Sequence, residues 1–298
     1  MDNRDEVRAF LRSRRDKVTP AQAGLPVYGT RRVAGLRRGE VAMLAGVSVE
    51  YYTRLERGNL AGVSESVLDA LAQALRLDET ERAHLDDLVR AANTSPARAR
   101  RRPTRATVRP TVQRMIEAMA SMPAFVFNAR FDLLAANALA RAFYCQVYAD
   151  PASEQNLARF VFLNPAARAF YLDWNRIAKD MVGVLRVEAG RNPYDRELSN
   201  LVGELSTRSD DFRILWGAHD VHVFRDEKKR VNHPVVGLLE LDHQTMDVPG
   251  ESGQTMAFYS APPGSAAQDS LAMLASWSAT QDDVQNTHDA QGAAERAS

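Results

Sequence analysis

The stretch Leu36–Gly58, LRRGEVAMLAGVSVEYYTRLERG, holds the residues whose types and spacing best suit recognition chemistry. Val41, Ala42 and Leu44 make one short helix face. Gly46 supplies the left-handed bend of a tight turn, Val47 points inward, and Ser48 caps a second helix. That second helix buries Tyr52 and Leu55 and turns Val49, Glu50, Thr53 and Arg54 outward. Two short helices across a glycine turn, the second with a polar outer face, match a helix-turn-helix. Its second helix can lie in a major groove with its N-terminal residues against base edges. An ordinary helical hairpin with a charged outer face is the alternative.

Other helices must position this pair. Val7, Phe10 and Leu11 form one apolar stripe, Val67, Leu68, Leu71 and Leu75 a second, and Leu85, Leu88, Val89 and Ala92 a third. Ser64 and Asp78 stand where N-caps belong. Residues 1–110 carry 21 Lys and Arg against 14 Asp and Glu, whereas residues 111–298 carry 17 against 24. The total is neutral, but a basic first third suits a polyanionic partner. Residues 93–110, with three prolines and five arginines within 98–105, read as an exposed basic linker.

The helix-turn-helix stretch resembles that of the phage-repressor-like, xenobiotic-response-element (XRE) family. The resemblance rests on Ala42, Gly46-Val47-Ser48, Tyr52, Leu55 and the closing Glu56-Arg57-Gly58. It implies a five-helix, all-α domain over residues 1–92, in which the stripes above supply the other three helices. Gly39, where the family usually has a good helix former, and the insert at 20–35 depart from the pattern. By position the resemblance implies DNA contacts from Arg37, Arg38, Ser48, Val49, Glu50, Tyr51, Thr53, Arg54 and Arg57. Arg38 faces phosphate, Val49, Glu50 and Arg54 face bases, and Tyr51 and Arg57 flank the backbone. Arginine can bond guanine O6 and N7, glutamate can accept from cytosine N4, and valine can touch a thymine methyl.

Past Thr111 the texture changes. Val112, Met115, Ile116 and Met119 suggest a helix, and AFVFN (124–128) and DLLAA (132–136) suggest strands around a turn at Ala129–Phe131. Asn164-Pro165 signals a helix start, with Phe170, Trp174, Ile177, Met181 and Val184 as one long buried face. Leu198, Leu201, Val202 and Leu205 suggest another helix, and VHVF (221–224), VVGLLEL (235–241) and TMAFYSA (255–261) suggest strands. The pattern is α+β. Residues 265–298 read as a partly disordered tail.

Residues 107–262 resemble the ligand-binding domain of MmyB-like regulators of bacteria. The matching segments are 123–137, 191–221 and 233–241. The resemblance implies a PAS-like domain over 111–264, an antiparallel sheet with helices over one face, and a fatty-acid-like ligand. Phe125, Phe127, Trp174, Trp216 and His219 are the candidate ligand-binding residues; an ordinary filled core accounts equally for such apolar faces.

Other chemistry is weakly signalled. His219, Asp220, His222 and His233 could suggest a metal cluster, but His219 and His222 in a strand would face opposite ways, so both His219 and His233 read better as polar anchors within a sheet. No nucleophile elbow, phosphate loop or dinucleotide fingerprint appears, and we expect no enzyme, cofactor or metal. The single cysteine, Cys145, provides no disulfide framework and reads as a buried helical thiol. No apolar run reaches bilayer-spanning length and the N-terminus has no signal-peptide core. The expectation is a cytoplasmic, multidomain, homodimeric regulator that binds double-stranded operator DNA and a fatty-acid-like molecule, without membrane contact. A C-terminal protein-interaction module without a small ligand is the alternative.

Overall fold

The computed structural model describes residues 3–26, 31, 33–93, 107–221, 227–251 and 253–280. The chain divides into two compact units, residues 1–102 with 179–224 and residues 103–178 with 225–298. The division falls within the helix Trp174–Arg191. Segment 179–224 therefore groups with the N-terminal helices, an arrangement that a single boundary at 93–110 does not anticipate. Of that expected linker, residues 94–106 lie outside the described residues, as do residues 27–30 and 32 of the insert.

The first unit opens with five helices: α1 (Asn3–Lys17), α2 (Arg38–Leu44), α3 (Val49–Glu56), α4 (Glu65–Ala74) and α5 (Glu79–Asn93). Val7, Phe10 and Leu11 meet Val41, Tyr52, Leu55, Leu71, Leu85 and Leu88 in one core. Local signals set the helix starts. The Val67 amide donates to Ser64 Oγ, and Asp78 and Glu81 exchange side-chain-to-backbone bonds across the first turn of α5. Leu44 does not share the inward face of α2. It is 36% exposed, and Ala45, at 6%, takes that place, because a seven-residue helix presents only one buried turn. The unit continues with Arg196–Arg208, which buries Leu198, Leu201, Val202 and Leu205, and with Asp210–Gly217. Val187 and Val221 pack into the same core as α1–α5.

The second unit is α+β around a five-stranded antiparallel sheet: β1 (Ala124–Asn128), β2 (Leu133–Ala136), β3 (Glu227–His233), β4 (Gly237–Asp247) and β5 (Gln254–Ser260), in the order β2-β1-β5-β4-β3. All five β1 residues are buried, so both sheet faces are covered there. Val112 and Ile116 of the helix Pro110–Ala118 pack with Ala124, Val126 and Met256 on one face. Phe125 and Phe127 face a cluster of rings on the other. Helices over a single face, as the resemblance implies, is thus too simple. Met115 is 50% exposed and leaves the expected stripe, in which Val112 and Ile116, one turn apart, are the buried members.

Three further expectations change. The long face from Phe170 to Val184 belongs to two helices, Ala166–Phe170 and Trp174–Arg191, because Tyr171 leaves the helix to bridge Val231. The strand expected from Val235 begins at Gly237, after a turn at 234–236 that joins it to β3. Residues 266–280 are helical with Leu271 and Leu274 buried, so the expected tail starts no earlier than 281, outside the described residues. The strand expected at 221–224 also lies outside them from residue 222 onward.

Candidate nucleic-acid interface and ligand site

The α2–α3 pair follows its sequence logic. Gly46 has φ +64° and turns the chain. Ser48 is extended and accepts from the Tyr51 amide at 3.0 Å, which starts α3. Tyr52 and Leu55 have no exposed surface. Val49 is 43% exposed, Glu50 and Arg54 are exposed, and Thr53 is half-buried, so the four share an accessible face. Arg54 lies with its guanidinium carbon 4.8 Å over the Tyr51 ring, which keeps it against α3. Arg57 is exposed at the end of α3.

Arg37 and Arg38 are exposed at the start of α2. Glu40 there accepts from the Arg37 amide at 2.6 Å and from both Nη atoms of Arg31. The Arg31 bond holds the Glu40 carboxyl down at about 2. This anchored carboxylate caps the helix, so Gly39 is tolerated; a side chain there would meet only Val49, at 4.0 Å.

Sequence reasoning missed Glu56 as a hub. It is 2% exposed and binds Arg15 Nε at 2.6 Å and Arg38 Nε, while Arg15 Nη1 donates to the Leu36 carbonyl at 2.9 Å. Burial pushes the Glu56 carboxyl up, but the two arginines outweigh it and hold it below its usual range. The hub ties α1, the entry to α2 and the end of α3 together. Residue type alone gives no sign of it, since Glu56 lies in a charged Glu-Arg pair.

The candidate ligand residues separate. Phe125 and Phe127 lie in β1 and Trp174 starts its helix, all in the second unit; Trp216 and His219 lie in the first. His219 is not in a strand. It sits in a turn with φ +53° after Asp210–Gly217, where its Nδ1 accepts from Arg186 Nη1 at 2.7 Å. Trp216 stacks on Phe212 at 5.6 Å and lies under Arg186. Trp174 is buried, with Nε1 donating to the Val161 carbonyl at 3.0 Å.

The sheet face that carries Phe125 is aromatic. Its ring lies 5.4 Å from Tyr144 and 5.9 Å from Tyr259, and those two hydroxyls meet at 2.6 Å. Phe143 sits 4.9 Å from Tyr259 and 5.6 Å from Phe170. By strand register Lys229, His233, Leu241 and His243 share this face. Lys229 is 4% exposed. His233 is a polar anchor at the end of β3: Nδ1 accepts from the Val235 amide and Nε2 donates to the Ala142 carbonyl at 3.1 Å. Burial pushes its imidazole below the usual range. Cys145 is half-buried in the helix Cys145–Ala149, 4.0 Å from His233, and burial raises its thiol. Among the described residues no cluster of three metal-ligating side chains forms; His222 lies outside them.

Residues 108–274, more than half of the chain, match the family model of the MmyB-like transcription regulator ligand binding domain. The chain belongs to the MmyB-like transcription regulator family. Residues 6–85 match a helix-turn-helix domain family, which covers most of α1, all of α2–α4 and the first turns of α5. No curated protein matches the chain. This MmyB-like regulator thus joins a DNA-binding domain to a ligand-binding domain, both of regulator type. No helix among the described residues of the MmyB-like chain is long and apolar enough to cross a membrane.

Proposed function

We propose that this chain is a cytoplasmic, XRE-type regulator that reads operator DNA as a homodimer and responds to a fatty-acid-like ligand. The observation that carries the DNA half is the accessible face of Val49, Glu50, Thr53 and Arg54 on the Ser48-capped helix α3. Glu50 and Arg54 read base edges, Val49 meets a thymine methyl, and Arg37, Arg38, Tyr51 and Arg57 contact phosphate around them. A second copy of the chain presents the same face to a second half-site.

The ligand half rests on the PAS-like second unit, whose sheet supports an aromatic face and a buried lysine, Lys229. An alkyl chain suits the rings of Phe125, Phe127 and Trp174, and a carboxylate suits the ammonium. The ring-to-ring contacts also favour a second reading, in which the domain is a filled interaction module. Native mass spectrometry of freshly purified protein separates the two. A copurifying long-chain acid supports the sensor, and a dimer free of small molecules supports the module.

A further inference from the structure

Arg186 has no exposed surface, although arginine is rarely buried outright. Its Nη1 donates to Glu6 Oε1 at 2.5 Å and to His219 Nδ1 at 2.7 Å, its Nη2 donates to the Trp216 carbonyl, and its guanidinium carbon lies 4.2 Å from the Trp216 ring centre. Glu6 is on α1 of the DNA-reading domain. Arg186, Trp216 and His219 belong to the stretch that matches the ligand-binding family.

The contact extends in both directions. Arg14 Nη2 donates to the His219 carbonyl at 2.7 Å and to Asp220 at 3.0 Å, and Lys17 pairs with Asp220 as well. On α5, Asp87 accepts from Arg191 Nε at 2.7 Å. Gly190 permits the close approach: a Cβ there would lie 2.7 Å from Cε1 of His84, whose ring has no exposed surface, and 3.3 Å from Leu88. Buried ion pairs contribute little net stability, but they penalise wrong docking, because a misplaced partner leaves a charge buried alone. Glu50 and Arg54 stay exposed and Val49 stays 43% exposed, so this contact leaves the reading face uncovered.

We propose that segment 186–221 is an intramolecular docking arm, through which the ligand-binding domain grips α1 and α5 of the reader and sets its DNA affinity. The helix Trp174–Arg191 provides a covalent route, since Trp174 starts it and Arg186, Gly190 and Arg191 end it at this contact. The docking stands on geometry alone; its regulatory consequence rests on the reading of the chain as a DNA-binding regulator.

Gly190→Ala in the full chain tests the arm, because it removes no charge and no hydrogen bond. Gly203→Ala is the control, since nothing lies within 4 Å of a Cβ at that helical position. Amide hydrogen exchange is expected to quicken about tenfold in α5 and in 210–217 of Gly190→Ala, with α3 as protected as in the wild type and Gly203→Ala unchanged. Unchanged exchange in α5 overturns the docking. If Gly190→Ala does not fold, Asp220→Asn, whose side chain is 43% exposed, decides: faster exchange in α1 and 210–217 supports the arm, and none overturns it.

Affinity for a duplex from the gene's own upstream region is expected to shift about fivefold in Gly190→Ala. An unchanged affinity overturns the regulatory role. Failure of the wild type to bind duplex DNA would instead refute the DNA-reading proposal, and the exchange result would still judge the docking.

Discussion

The Arg54 guanidinium carbon lies 4.8 Å over the ring of Tyr51, on the outer surface of α3. The ring shortens the list of directions open to a long side chain, so part of its ordering is complete before DNA arrives. Arg54→Ala is expected to relax preference at one base pair by about 1–3 kcal/mol. Tyr51→Ala is expected to weaken binding to all sequences. Affinities for a panel of single-base operator variants check both; a uniform loss for Arg54→Ala would assign Arg54 to phosphate.

The Glu56 hub separates stability from binding. Glu56→Gln removes the buried carboxylate that Arg15, 9% exposed, meets and leaves it only the exposed Asp16 at 3.0 Å, and is expected to cost about 3 kcal/mol in urea unfolding. The Arg38 side chain is 52% exposed, so Arg38→Ala should barely change stability. It should reduce the slope of log affinity against log salt by about 1. Equal stability losses in the two variants would show that Arg38, not Arg15, holds the hub.

Acid sensitivity follows from α1 and α5. Burial drives the His84 imidazole down to about 4 from an ordinary 6.5, against the pull of Glu6 at 4.0 Å. Between those values the unfolded chain takes up a proton that the folded protein refuses. Stability therefore falls as pH drops through that window, by up to about 3 kcal/mol. Burial alone would raise Glu6, but His219 and Arg186 pull its carboxyl from 4.5 to about 2, so its contribution is present above 4.5 and fades toward pH 2. His84→Leu is expected to flatten the melting temperature between pH 6.5 and 4 while leaving the loss at lower pH. A slope unchanged in His84→Leu would place the titrating group elsewhere.

Lys229 and Phe125 address the ligand face. Lys229→Met is expected to weaken a fluorescent long-chain fatty acid about tenfold and the matching alcohol little. Phe125→Ala is expected to weaken both and to cost about 3 kcal/mol in stability, as a large core ring is lost. Equal binding of acid and alcohol by the wild type would remove the carboxylate from the proposal.

Helix α3 is legible in the residues because its determinants are local: a turn glycine, a capping serine, and Tyr52 and Leu55 three apart. β1 was visible for a similar reason, since AFVFN is short, apolar and bounded by turn residues. β3 was not. EKKRVNH looks solvated, yet its inward positions Lys229, Val231 and His233 are buried under 5% because β4 pairs along its whole length. The chain neighbours of His219 suggest a sheet, but a polar residue does not name its partner: Arg186, itself paired with Glu6 of α1, holds His219 in a turn beside Trp216. A buried arginine in an otherwise apolar helix face gives no sequence signal of the carboxylate it meets.

The most direct test of the account is binding of the purified full chain to a duplex from its own upstream region, footprinted and titrated with salt. We predict a protected site with two related half-sites, affinity that falls linearly on a log–log salt plot, and a base preference altered by Arg54→Ala. No protected site together with no salt-dependent affinity would contradict it.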